Sequence, residues 1–405
     1  MALGLASAGA PALARAIGLS AAAQDLGPAK GKLGVVGGRD EKVLFPGKGL
    51  PGGGQLEIRL VQSMYTSDPD ELEVAQRARP YDPNSWYEEW TRVAERNEKL
   101  ADAYAAEGLK VTANEHYRRA QDFYGNAVWP LPESDARMLP GYKKMRETFD
   151  KSWRLVRPPF ERVKIAFEGK TLEGYFRKPG GAAGKKFPTV IAFQGADTMA
   201  ENTILGGAGS YVARGMAFVA VDFPGQGAAL RLQDLHLPPD PERILKAIID
   251  YLETRPDVDA SRIGLMGISM GGIYGPRAAA KEKRLRAIVA LAGPYDLSEC
   301  WPALNPLTKG GYVFYTHSRD EVEAFERSKA LTLRGVLKDV TCPLLVIHGA
   351  KDRLFPPEQA ERIVREAPNA TLLLYPEGNH VCNNIPYKYR PAMADWMAEQ
   401  LGAGR

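Results

Sequence analysis

The sequence predicts an α/β chain: a doubly wound, mostly parallel sheet with a block of helices ahead of it. Three observations carry this. From Thr189 onward, short apolar runs rich in β-formers alternate with helical segments, the pattern of crossover connections in a parallel sheet. Between Asp82 and Trp153 the apolar residues recur at three- and four-residue steps, which is helical spacing. Ahead of both, thirteen of the 28 residues from Gly27 to Gly54 are Gly or Pro. That segment can carry neither a regular helix nor a central strand.

Taken in order, the first 26 residues are Ala/Leu-rich. Ala12-Leu13-Ala14 and Ala21-Ala22-Ala23 would each suit a signal-peptide cleavage site, but no Lys or Arg precedes Arg15. The basic start of a signal peptide is therefore missing. A cytoplasmic chain with a frayed N-terminus is expected, and export by a weak leader in 1–26 is the alternative. The domains read as a Gly/Pro-rich lead over 1–81, a helical cap over 82–157 and a sheet domain over 158–405.

In the cap, Ser85-Trp86-Tyr87-Glu88 is a capping box, with Trp86, Trp90, Val93, Leu100 and Tyr104 on one face and Gly108 as the stop. A second box, Thr112 to Glu115, opens a helix with Tyr117, Ala120, Tyr124 and Ala127 on its face; Tyr142, Met145, Phe149 and Trp153 mark a third. No second copy follows at a 34-residue step, which excludes a tetratricopeptide solenoid. Next, Arg162 to Phe167 and Leu172 to Arg177 read as a hairpin, an antiparallel edge to the sheet. Buried strands follow at 189–193, 217–221, 263–266, 287–291, 344–347 and 372–374. Helices fill 204–214, 241–254, 271–281, 357–367 and 390–402. The stretch between Leu291 and Leu344 is too long for a simple connection, so an insertion at about 297–340 is expected over the active-site end of the sheet.

Composition removes several classes of function. With 53 basic and 49 acidic residues the chain is near balance, and no basic stripe with interleaved aromatics supports a nucleic-acid partner. Three cysteines without a C-x-x-C pair argue against a disulfide framework or a structural zinc site. No apolar run reaches the ~18 residues of a membrane span. Neither a cofactor nor a metal is expected. A homodimer is open, since the sequence bears little on assembly.

The chemistry starts directly after the strand at 263–266, in Gly267-Ile268-Ser269-Met270-Gly271-Gly272. This is G-x-S-x-G, the elbow that exposes a nucleophilic serine between strand and helix. On its own the pattern is weak, since a chain this long gives on the order of 0.3 accidental matches; the flanking strand and helix raise it. A serine needs a base, and the base needs an orienting acid, in the order Ser, Asp or Glu, His for such sheets. His380, in Pro376-Glu377-Gly378-Asn379-His380, is the base; His348, ending a strand, suits a structural hydrogen bond. Asp352 is the acid, with Asp296 as rival or turn cap. Two backbone N–H groups must face the developing oxyanion: Met270, and Ala196 or Gly195 in the loop Gln194-Gly195-Ala196-Asp197. The turn Asp222-Phe223-Pro224-Gly225-Gln226-Gly227 lacks the Gly-Lys-Ser/Thr of a phosphate cradle and reads as a tight turn beside the site.

With these residues in place, the sequence resembles the α/β-hydrolase superfamily over about 160–405. The resemblance rests on Gly267 to Gly271, His348-Gly349-x-x-Asp352 and Gly378-Asn379-His380. The helical block, including Trp90-x-x-Val93-Ala94-Glu95-Arg96, makes it similar to the subgroup of 2,6-dihydroxypseudooxynicotine hydrolase and the fungal polyketide-shortening hydrolases. The resemblance implies an N-terminal helical cap and a Ser-Asp-His triad, used in the known cases on carbon–carbon bonds of acyl aromatic or diketone substrates. It also implies an auxiliary active-site glutamate, for which Glu299 is the nearest candidate. Trp129, Tyr124 and Trp301 are expected to line an apolar pocket, or else to pack cap against core. The function expected is therefore that of a serine hydrolase cleaving such a carbon–carbon bond or a carboxylic ester. A peptidase-like amide hydrolase and a non-catalytic binding protein of the same fold are the alternatives.

Overall fold

A computed structural model describes residues 68–79, 82–131, 133–155, 160–181 and 184–404. The expectations for 1–26 and for Gly27 to Gly54 fall outside these residues. Among the described residues four helices come first: α1 (Pro69–Arg77), α2 (Pro83–Ala106), α3 (Lys110–Val128) and α4 (Met138–Trp153). The first was not expected. It lies within the Gly/Pro-rich lead, where Asp68 caps it by accepting from the backbone N–H of Asp70 and Glu71. Its Val74 is buried with Trp86, Trp90 and Val93 of α2 in one apolar cluster.

Both helix starts differ from the capping boxes. Helix α2 begins at Pro83, with Asp82 accepting from Asn84 N–H and Ser85 N–H. A proline at the first helical position has no N–H to satisfy and carries a preset φ, so Asp82-Pro83 sets the start one turn early. Ser85 Oγ accepts from Arg79 N–H instead. Helix α3 starts at Lys110 without a side-chain cap, because Gly108, at φ 78, folds the chain straight into it. The predicted stripe on α2 buries Trp86, Trp90 and Val93 but leaves Leu100 40% exposed.

Among the described residues the sheet has eight strands: β1 (Glu161–Phe167), β2 (Lys170–Arg177), β3 (Phe187–Phe193), β4 (Ala217–Val221), β5 (Val258–Ile268), β6 (Leu285–Leu291), β7 (Leu344–Gly349) and β8 (Ala370–Tyr375). Their order is β1-β2-β4-β3-β5-β6-β7-β8. β1 and β2 form the antiparallel edge, and β2 is also antiparallel to β4. From β4 onward every neighbouring pair is parallel. This is the doubly wound α/β sheet the alternation predicts. Helices α5 (Ala200–Val212), α6 (Gly227–Gln233), α7 (Glu242–Glu253) and α8 (Met270–Ala279) connect the first half. On α7, Ile244, Leu245, Ile248, Ile249 and Leu252 are all fully buried, a period-3.6 stripe in which each side chain contributes roughly 1.5–3 kcal/mol.

The insertion between β6 and β7 carries α9 (Leu297–Cys300), α10 (Pro306–Tyr315) and α11 (Glu321–Ser328); α12 (Pro357–Glu366) and α13 (Pro386–Gln400) complete the chain. The helical block is tied to the sheet by a buried polar network. Arg146 of α4 donates to Glu201 Oε1 at 3.0 Å and to Glu173 Oε2 at 2.7 Å, and Tyr175 Oη donates to Glu201 Oε1 at 2.8 Å. Glu201 is fully buried, so its charge depends on Arg146 staying in place.

Candidate active site

Parallel strands deliver their following loops to one edge of the sheet, and four of those loops meet there. β5 ends at Ile268 and α8 starts at Met270, leaving Ser269 alone to make the turn at φ 54, ψ −111. That is strained backbone for a residue with a Cβ. It is held because the surrounding backbone packs with no room to relax. A Cβ on Gly267 would stand 2.1 Å from Gly271 O, and one on Gly271 would stand 1.9 Å from Phe193 O. Ser269 N–H donates to Leu291 O at 2.8 Å, tying the turn to the end of β6.

This predicts a sharp steric contrast. Gly271→Ala should lose about 4 kcal/mol or more of stability, or fail to fold, because both clashing partners are backbone. At Gly195 the tightest Cβ contact is 3.3 Å, to Thr198 Oγ1. Gly195→Ala should shift stability by no more than about 1 kcal/mol. Urea denaturation of the two variants checks both.

Around Ser269 the structure assembles the predicted partners. Ser269 Oγ lies 3.1 Å from His380 Nε2, and His380 Nδ1 lies 2.7 Å from Asp352 Oδ2. A carboxylate only accepts, so Nδ1 carries the imidazole proton and Nε2 offers its lone pair to the serine hydroxyl. Asp352 has no exposed side-chain surface, and its Oδ1 accepts from Leu354 N–H at 2.9 Å and Phe355 N–H at 3.0 Å. These bonds fix the plane of the carboxylate. The His380 loop comes close because Gly378 packs on Gly349: a Cβ on Gly378 would be 2.9 Å from Gly349 Cα. Phe355 meets the His380 ring edge-on, with centroids 5.3 Å apart.

His348 takes the structural part expected of it. It is fully buried and its Nε2 donates to Phe355 O at 2.8 Å. Burial pushes its pKa below the usual histidine range. Asp296 is a helix cap, accepting from the N–H of Ser298 and Glu299 at the start of α9. The backbone N–H groups of Met270 and Ala196 have no acceptor among the described residues, and Met270, Ala196 and Gly195 all border the cavity above Ser269. The Asp222 turn is tight: the Asp222 carboxylate accepts from Ala200 N–H and Ala228 N–H. Burial and the neighbouring Glu201 charge raise its pKa.

The cavity measures about 1810 Å³ and opens onto Ser269 and His380. Trp129 borders it, with Nε1–H donating to Asp197 Oδ2 at 3.1 Å. The other two expected aromatics do not. Tyr124 is buried within the helical block, its hydroxyl donating to Glu98 Oε2 at 2.9 Å, because the α3 stripe it belongs to faces the other helices. Trp301 stands behind the wall, edge-on to Tyr312 at 5.6 Å. Glu299 is likewise not brought to the site. It is partly exposed and paired with Arg334 at 2.8 Å and with Arg362, two cations that hold it on the surface.

Sequence reasoning missed most of the actual wall: Met199, Tyr312, Phe314, Tyr315 and Phe355. Tyr312 Oη donates to Met270 Sδ at 3.2 Å, so α10 closes directly over the elbow. The Gly310-Gly311-Tyr312 run followed by Phe314-Tyr315 was the available signal, an aromatic cluster inside the insertion.

An eight-stranded sheet with a serine elbow at the end of β5 and acid and histidine loops after β7 and β8 defines an α/β-hydrolase. The chain belongs to the esterase FrsA-like family, whose model matches residues 54–298; the prolyl oligopeptidase family model matches residues 209–404. It is 29% identical over 336 residues to 2,6-dihydropseudooxynicotine hydrolase of Paenarthrobacter nicotinovorans, covering 79% of this chain and 86% of that protein. The crystal structure of 2,6-dihydroxy-pseudo-oxynicotine hydrolase superposes with a TM-score of 0.76 at 27% identity, over 85% of this chain and 95% of that one. Hydrolase LUC6 of Fusarium sp is 35% identical over 236 residues, 56% of each chain, so the match spans about half of that relative's length.

Proposed function

We propose that the protein is a serine hydrolase of a small acyl substrate, with Ser269 as nucleophile, His380 as base and Asp352 as orienting acid. The observation that carries this reading is the unbroken hydrogen-bonded chain from Ser269 Oγ through both nitrogens of His380 to a buried carboxylate. Ser269 Oγ attacks the substrate carbonyl carbon while His380 Nε2 takes its proton. The oxyanion faces the N–H of Met270 and of Ala196 or Gly195, at the start of α8, where the helix dipole also favours negative charge. The acyl bond breaks, and His380 returns the proton to the leaving atom. Water then enters by the same route in reverse order, releasing the acid and restoring Ser269.

The bond cleaved is, on this reading, the carbon–carbon bond of an acyl aromatic or diketone compound, with a carboxylic ester as the nearest alternative. A carbanion leaving group must be stabilised by a ring or a second carbonyl, whereas an ester releases an alkoxide. The likeness to the nicotine-derivative hydrolase extends through the helical block as well as the sheet, which favours a substrate of that flat, apolar kind. The aromatic wall suits it too. A peptidase-like reading draws on the prolyl oligopeptidase match, which starts at residue 209 and so leaves out the helical block.

A panel of acyl phenols, β-diketones, p-nitrophenyl esters and amino-acid amides separates these readings. Turnover of the acyl phenols or diketones above that of the esters is expected, and it should vanish in Ser269→Ala. Turnover confined to amides or short peptides would replace this reading with the peptidase one.

A further inference from the structure

One wall of the cavity carries a cluster that the proposed hydrolysis does not use. Asp234, His236 and His317 bring a carboxylate oxygen and two imidazole nitrogens within 4.8 Å of one another, and all three border the cavity. They come from two segments, the strap that follows α6 and the turn that follows α10. Leu237 N–H joins the same segments by donating to Tyr315 O at 2.7 Å. Asp234 and His317 both sit at positive φ, 54 and 55, a left-handed conformation uncommon outside glycine.

His236 is the telling residue. Its Nδ1 lies 3.3 Å from the Phe314 carbonyl oxygen, and its Nε2 lies 2.7 Å from Asp234 Oδ1. Both oxygens only accept. The His317 ring stands alongside, its centroid 4.4 Å away. A cation seated among these three side chains would take one donor atom from each. Nδ1–H then keeps the Phe314 carbonyl, which is the usual outer partner of a metal-bound imidazole.

We propose that Asp234, His236 and His317 form a binding site for a divalent transition-metal ion of the zinc type, which clamps the strap after α6 to the inserted helix α10. Two imidazoles and one carboxylate are the donors zinc takes at about 2.0–2.2 Å, with water completing four-coordination. A tetrahedron of such bonds sets donors about 3.3 Å apart, within the 4.8 Å spread of the cluster. Residue spacing does not reveal the cluster, because the ligands sit in separate segments with no helical H-x-x-x-H or C-x-x-C pattern.

The test is calorimetric titration of the metal-free full chain with zinc chloride at about pH 7.5. The wild type should bind one ion per chain, and its Tm should rise with zinc concentration. His317→Ala and His236→Ala should each weaken binding at least about tenfold and flatten the Tm response, while His380→Ala should bind as the wild type does. His317 is exposed, so its removal leaves the core intact. Absence of saturable binding, equal binding in the two cluster variants, or loss of binding in His380→Ala alone would each overturn the assignment. None of these readouts requires the protein to hydrolyse anything.

Discussion

Ser269→Ala is expected to lower kcat by about 10⁴–10⁶-fold on any substrate the protein turns over, while leaving the fold in place. The magnitude follows from losing the covalent route: what remains is oxyanion stabilisation and binding, which act without a nucleophile. Stability should move by no more than about 1 kcal/mol. Alanine keeps the Cβ, so the strained turn at φ 54 is unchanged, and only the hydroxyl's bond to His380 is lost. Steady-state kinetics and a thermal melt on the same preparation separate the two effects. A variant that melts normally and retains wild-type turnover would place the nucleophile elsewhere.

Asp352→Asn should come next in size, at about 10⁴-fold in kcat, and the structure supplies the reason. Two backbone N–H groups, of Leu354 and Phe355, donate to Oδ1. The amide of an asparagine must therefore put its oxygen there. Its NH₂ then occupies the place of Oδ2, facing His380 Nδ1. A donor in that position makes Nδ1 the acceptor and moves the ring proton to Nε2, where it opposes the Ser269 hydroxyl. The geometry survives and the tautomer is wrong. A drop in kcat with KM little changed is the expected signature, since the residue is buried behind His380 and does not reach substrate. A change confined to KM would contradict the role.

How much of this could be read from the amino acids depends on the range of the interaction that sets each position. Ser269, Asp352 and His380 each lie within a few residues of a strand end, and a tight turn there leaves a side chain few places to go. Gly267 and Gly271 were legible for the same reason, their clashes being with backbone a few residues away or on the adjacent strand. The helix starts were half legible: the boxes at Ser85 and Thr112 matched a pattern, but Asp82-Pro83 and the Gly108 turn act earlier in the chain and took precedence.

The cavity wall was least legible, because it is set by how separate elements dock. Tyr124 shares a stripe with Tyr117, Ala120 and Ala127, and that stripe is buried among the helices. Trp129, just past the end of α3, is off the stripe and reaches the cavity. Glu299 was a candidate only by resemblance, and the cations Arg334 and Arg362 that claim it come from distant parts of the chain. The aromatic face of α10 became a wall only by folding back over Met270.

The proposed hydrolysis turns on Ser269 as an activated nucleophile. A fluorophosphonate probe tests it without any knowledge of the substrate, since attack by an activated hydroxyl on phosphorus expels fluoride and leaves a stable adduct. One adduct per chain is expected, located by peptide mass at Ser269, and none on Ser269→Ala. An unlabelled wild type, or equal labelling of the two proteins, would contradict it.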